Sequence, residues 1–150
     1  MLFTTLKFLH VVLAIIALGF NSAYGLIIGR ARKAGTAELK FALRTVKFMD
    51  DYIANPCYVL LLLTGVGMVH ASPYGWSPTW VHGSMTLLLV AFVLGIGFYT
   101  PTLRKQIVAL DRGGPDDPEF LRLSKRGSML GGILGLIVLV IVALMIFKPL

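Results

Sequence analysis

The chain is most informative in what it has little of. Of its 150 residues only one, Cys57, is a cysteine, which excludes an internal disulfide and any multi-cysteine zinc or iron–sulfur centre. Charged residues make up 14%, against about 25% in ordinary soluble domains, and hydrophobic residues reach 57%. Fourteen basic and seven acidic side chains cannot cover a water-soluble surface of this size. So apolar a chain is not disordered either. No glycine loop precedes a Lys-Ser/Thr pair, so a phosphate-binding loop is absent. Nothing combines a nucleophile with a base and an orienting carboxylate. The net charge of +7 belongs to a chain with mean hydropathy +0.82, which points to membrane topology rather than nucleic acid.

What is there is a set of long apolar runs. A bilayer core takes about 20 apolar residues in a helix. Four stretches reach that length: about 8–28, 52–71, 80–99 and 127–147. None alternates polar and apolar residues with period two, so a membrane β-barrel is excluded. The expected fold is therefore all-α, a polytopic four-helix membrane bundle in a single domain spanning 1–150.

Charge sets its direction. Twelve of the fourteen basic residues lie in two connectors, about 29–51 and 100–126, while Ser72–Thr79 between spans two and three carries no charge. The positive-inside rule places both basic connectors in the cytoplasm and both termini on the extracytoplasmic side. Retained basic loops of this kind suit a multi-pass protein of the bacterial plasma membrane. The run after Lys7, ending in Asn21-Ser22-Ala23, imitates a signal peptide, but cleavage there would send six basic residues outward.

Within the first connector, Thr36 is positioned to cap a helix, and Leu39, Leu43, Val46, Met49 and Ile53 follow at helical spacing. An amphipathic helix leading into span two is predicted. In the second connector Gly113-Gly114-Pro115-Asp116-Asp117-Pro118 is a break, with Phe120, Leu121 and Leu123 opening the helix of span four. Pro56 predicts a kink near the start of span two, and Pro101 a stop just after span three. Gly127, Gly131 and Gly135 recur every four residues, a helix-packing face directed at another span, at a second copy or at other membrane subunits.

No Asp, Glu, Lys or Arg lies well inside any predicted span, so the carboxylate relay of a coupled transporter is missing and that class is disfavoured. Three histidines remain, and the topology puts His10, His70 and His82 at similar depth near the outer face. Helical rotation sets Ala14, Ala17 and Asn21 on the side of His10. Such a strip suits either close helix packing or a flat macrocycle with the imidazole as axial ligand. On span three Met85 shares the side of His82, and a His-x-x-Met pair suits haem iron or copper. His70, with Tyr74, Trp76 and Trp80, reads as part of an interfacial aromatic belt.

Three segments carry a resemblance. Leu6-Lys7-Phe8-Leu9-His10, the span DYIANPCYVLLLLTGVGM from Asp51 to Met68, and Phe120–Arg126 followed by a glycine-rich helix resemble small four-span bacterial membrane proteins grouped as domain of unknown function 2269. Met145–Pro149 resembles the ending of that group. The Lys7-to-His10 opening, Trp80-Val81-His82 and Lys148-Pro149 are similar to the integral-membrane protoporphyrinogen oxidase family. Copper-resistance membrane proteins share the layout. These resemblances imply b-type haem near the outer face, with His10 and His82 as axial ligands, and electron transfer or porphyrin-type oxidation. The oxidase pattern has a basic residue where Ser84 stands, which puts the oxidase activity in doubt. The alternatives are a copper-handling component, with His70 and Met85 as lesser ligand candidates, or a non-enzymatic subunit of a larger membrane complex without haem.

Overall fold

A computed structural model describes residues 1–149. It contains four long helices: α1 (Leu2–Ala34), α2 (Thr36–Ala71), α3 (Thr79–Gly113) and α4 (Pro118–Phe147), all long and apolar enough to cross a membrane. They run up and down. One end of the bundle, the basic end, carries the α1–α2 and α3–α4 turns. The other, the histidine end, carries the Ser72–Pro78 connector. There are no strands among the described residues.

The helices extend well beyond the apolar runs. At about 1.5 Å per residue α2 is about 54 Å long, whereas a bilayer core is about 30 Å. The excess projects at the basic end, because the connectors predicted around residues 29–51 and 100–126 are helical almost throughout. Gly35 makes the α1–α2 turn with φ 155°, and a Cβ there would strike the Glu38 carboxylate. Gly35, not Thr36, occupies the cap position, and Thr36 is the first helical residue with no side-chain cap bond. The break at Gly113–Pro118 is observed. Gly114 adopts φ 82°, and Asp117 caps α4 by accepting the Phe120 N–H at 3.1 Å.

One of the two expectations drawn from proline needs correcting. Pro101 does not stop a helix, since α3 runs on to Gly113, while Pro56 stands within α2. Each sits just after a single wide turn, Asp50–Ala54 in α2 and Gly95–Tyr99 in α3. There the Asn55 N–H bonds the Asp50 carbonyl and the Thr100 N–H bonds the Gly95 carbonyl, five residues back in each case. A proline lacks its own N–H and crowds the carbonyl four residues earlier. A π-helical turn immediately upstream accommodates the ring and lets the helix continue.

The tightest apolar core lies in the projecting part. Leu39, Leu43, Val46, Leu103, Leu110 and Phe120 are the largest side chains removed entirely from the surface. Large side chains of the apolar runs, such as Leu63, Val93 and Leu136, face outward. The division follows the solvent. Burial of apolar area drives packing only where water is the alternative, and between helices in lipid that drive is absent. Across the projection Asp111 of α3 receives Arg44 at 2.9 Å and Lys40 at 3.5 Å from α2. In the apolar part α1 packs chiefly on α2 and α3 on α4, with less contact between the two pairs.

Candidate functional site

The tertiary structure separates the three histidines. His10 is buried on the inner side of α1, and its Nδ1 lies 2.8 Å from the Thr64 hydroxyl of α2. His70 and His82 are exposed and flank the Trp76 ring, with centroids 5.9 Å and 6.1 Å away. The Nδ1 of His70 is 2.9 Å from the Val66 carbonyl. Trp80 lies under the Lys148 ammonium at 5.5 Å. His10 and His82 thus occupy different surroundings, one interior and one peripheral.

The residue that meets His10 from α3 is Met85. A Cβ built on Gly65 of α2 would stand 3.4 Å from Cε1 of His10 and 3.9 Å from the Met85 methyl. Three helices therefore converge on Gly65, with the imidazole edge and the Met85 methyl both within 4 Å of the place a side chain would take. Thr64 completes the arrangement by holding Nδ1, the way an outer-shell hydrogen bond orients a ligating imidazole. No hydrogen bond among the described residues engages its Nε2. Ser84, beside Met85 in sequence, is buried with its hydroxyl unpaired. Sequence reasoning missed Thr64 and Gly65 as partners of His10. The Thr-Gly-x-Gly-Met signal was visible, but nothing in it says which face α1 contacts.

The strip beneath His10 is a packing face. Ala17 is 2% exposed and belongs to the core, and the Asn21 amide reaches the Tyr58 hydroxyl at 3.5 Å. Ala14 is partly buried against the same core, while Asn21 also lines a cleft between α1 and α4. The donor set itself, one oriented imidazole and one thioether, fits a soft metal. No group of three or more His, Cys, Asp or Glu side chains placed to hold a metal ion occurs among the described residues.

A second polar locus was hidden from the sequence. Asp50, read as part of a connector, is 4% exposed inside the bundle. Its Oδ2 accepts from the Thr100 hydroxyl at 2.6 Å and from the Asn55 amide at 3.4 Å, while Asn55 also donates to Thr100 Oγ1 at 3.3 Å. Asp50 opens the wide turn of α2, and Asn55 and Thr100 follow the two wide turns, so these three side chains join α2 to α3 there. Asp50 precedes the apolar run at 52–71, so no carboxylate lies well inside a predicted span, but this connector residue turns inward. Nearby, Tyr24 and Tyr99 stack with centroids 6.4 Å apart. The glycine face of α4 is partly spent within the chain, since Gly127 abuts the Gln106 amide and Gly131 the Tyr99 ring, while Gly135 meets nothing.

Four helices long and apolar enough to cross a membrane define a small polytopic membrane protein. The chain matches over residues 4–149 the family described as predicted integral membrane protein, DUF2269, and belongs to it. No curated protein and no solved structure matches it.

Proposed function

We propose that this membrane protein binds a soft metal at its histidine end through His10 and Met85. The observation that supports this is their convergence on Gly65, with the imidazole already oriented by Thr64. Copper suits the pair by chemistry, because imidazole and thioether are donors copper accepts. Haem b with His10 as axial ligand is the second reading. It is favoured by the free Nε2 of an imidazole fixed through Nδ1 and opposed by the packing of Ala17 into the core. His82, exposed beside Trp76, and His70 are peripheral in both readings.

The test is to purify the whole chain in detergent from cells supplied with copper and haem, then measure metal content, pyridine haemochrome and reduced-minus-oxidised spectra. One copper per chain, lost in His10→Ala and Met85→Leu but kept in His82→Ala, is the expected result. A Soret band lost in His10→Ala selects haem instead. A chain that retains neither overturns the proposal and leaves the metal-free membrane subunit. We further infer that the basic end faces the cytoplasm of a bacterial plasma membrane, with both termini outside, from the twelve basic residues gathered there. Reporter fusions at the two termini test that orientation.

A further inference from the structure

Between α1 and α4 lies a cleft of about 340 Å³, close to the lower bound of small-molecule sites. Glycines of both helices, among them Gly25, Gly29, Gly131 and Gly132, line much of its stem, with Asn21 and Ser22 at the far end. Its basic end carries Arg32, Gln106 and Ser124.

Two features of that lining point to a ligand. Arg32 is fixed by the Ser124 hydroxyl and by the Phe120 ring 5.7 Å from its guanidinium carbon. No carboxylate forms an ion pair with it among the described residues, so a positioned cation faces the cleft uncompensated. Tyr24, 2% exposed, contributes to the wall and has a hydroxyl with no partner, and Gln106, 4% exposed, brings a buried amide to the same lining. Burying such polar groups unpaired is costly; the charged group that a ligand in the cleft would meet is the Arg32 guanidinium.

We propose that this cleft binds an anionic phospholipid, its phosphate on Arg32 and one acyl chain along the glycine-lined stem. The guanidinium matches phosphate by charge and by its planar fork of donors. The glycines match the chain, because a stem lined largely by them leaves a channel next to the lipid phase. The polar head of the cleft also lies where a headgroup belongs, at the basic end and past the apolar runs. The proposal does not depend on the metal at His10.

Native mass spectrometry of the full chain in detergent, with phosphatidylglycerol or phosphatidylcholine added, tests it. Wild type retains phosphatidylglycerol about fivefold more than phosphatidylcholine. Arg32→Gln abolishes the preference and Arg32→Lys keeps most of it. Gly132→Leu, at a position where a side chain meets nothing, fills the stem and lowers retention of both lipids. An unchanged preference in Arg32→Gln overturns the proposal. So does Gly132→Leu if it leaves lipid retention intact, or if it converts a dimer to a monomer, which assigns the cleft to a second copy. Should Gly132→Leu fail to fold, the two Arg32 variants decide alone.

Discussion

Leu43→Ala tests whether the core that water drives lies outside the apolar runs. Leu43 is 0% exposed and sits among Leu39, Val46, Leu103, Leu110 and Phe120. Truncation removes three carbons from a site enclosed on every side, and helices held by turns at Gly35 and Gly114 cannot readily close over the hole. Leu→Ala changes in such cores cost about 2–5 kcal/mol, the upper part applying where collapse is restricted. About 3 kcal/mol is expected here. At about 1.4 kcal/mol per tenfold change, amide exchange across residues 36–49 and 103–113 accelerates on the order of a hundredfold. Leu63→Ala is the control: it is 61% exposed, in the apolar part of α2. Lipid replaces what the mutation removes, so its effect stays under about 1 kcal/mol. The assay is hydrogen exchange by mass spectrometry in bicelles, with denaturant melts of both variants. Equal losses in the two, or unchanged exchange over 36–49 in Leu43→Ala, refute the reasoning.

Asp50→Leu strands the Thr100 hydroxyl and the Asn55 amide and is expected to cost about 1–3 kcal/mol, whereas Asp50→Asn keeps an acceptor and costs less; thermal melts in detergent rank the two. The hydrogen bond from Arg44, reinforced by Lys40, holds the Asp111 carboxyl below its usual range. The stability it contributes is therefore complete above about pH 4 and is lost as pH falls through the lowered value. Acid unfolding of Asp111→Asn should lack that component, and carboxyl titration by NMR measures the shift directly. Asp117→Ala removes the α4 cap and should cost about 1 kcal/mol in the same melts, while a wild-type melt would refute the cap. Gly113→Ala should act in the same direction, because its Cβ would stand 2.7 Å from Asp117 Cβ.

Much of this organisation is legible in the order of the amino acids. Four apolar runs, the charge-free Ser72–Thr79 connector and the break at Gly113–Pro118 all correspond to elements observed. Leu39, Leu43 and Val46 stand out as a helical face because amphipathic spacing survives wherever one side meets water. Pro101 misleads for a local reason. Pro56 and Pro101 are helix breakers when considered alone, but a widened turn upstream absorbs each ring. Asp50 is misplaced as well, since reading residues 29–51 as a connector puts a buried carboxylate on the outside. The site is only half visible. His10 can be singled out by its rarity among apolar residues, yet its rotation toward Thr64 and Met85 depends on how α1 lies on α2.

By itself the sequence determined the class and the number of crossings, because hydrophobic length is a one-dimensional quantity that a bilayer reads directly. The clustering of twelve basic residues into alternate connectors is equally one-dimensional. The pairing of residues was left to the tertiary structure. In apolar runs that are hydrophobic all round, no periodicity marks which face turns inward. Small residues, backbone approach and a few polar contacts make that choice. They brought Met85 rather than His82 to the glycine beside His10, packed Ala17 into the core, drew Asp50 inside, and left Arg32 at the mouth of a glycine-lined cleft.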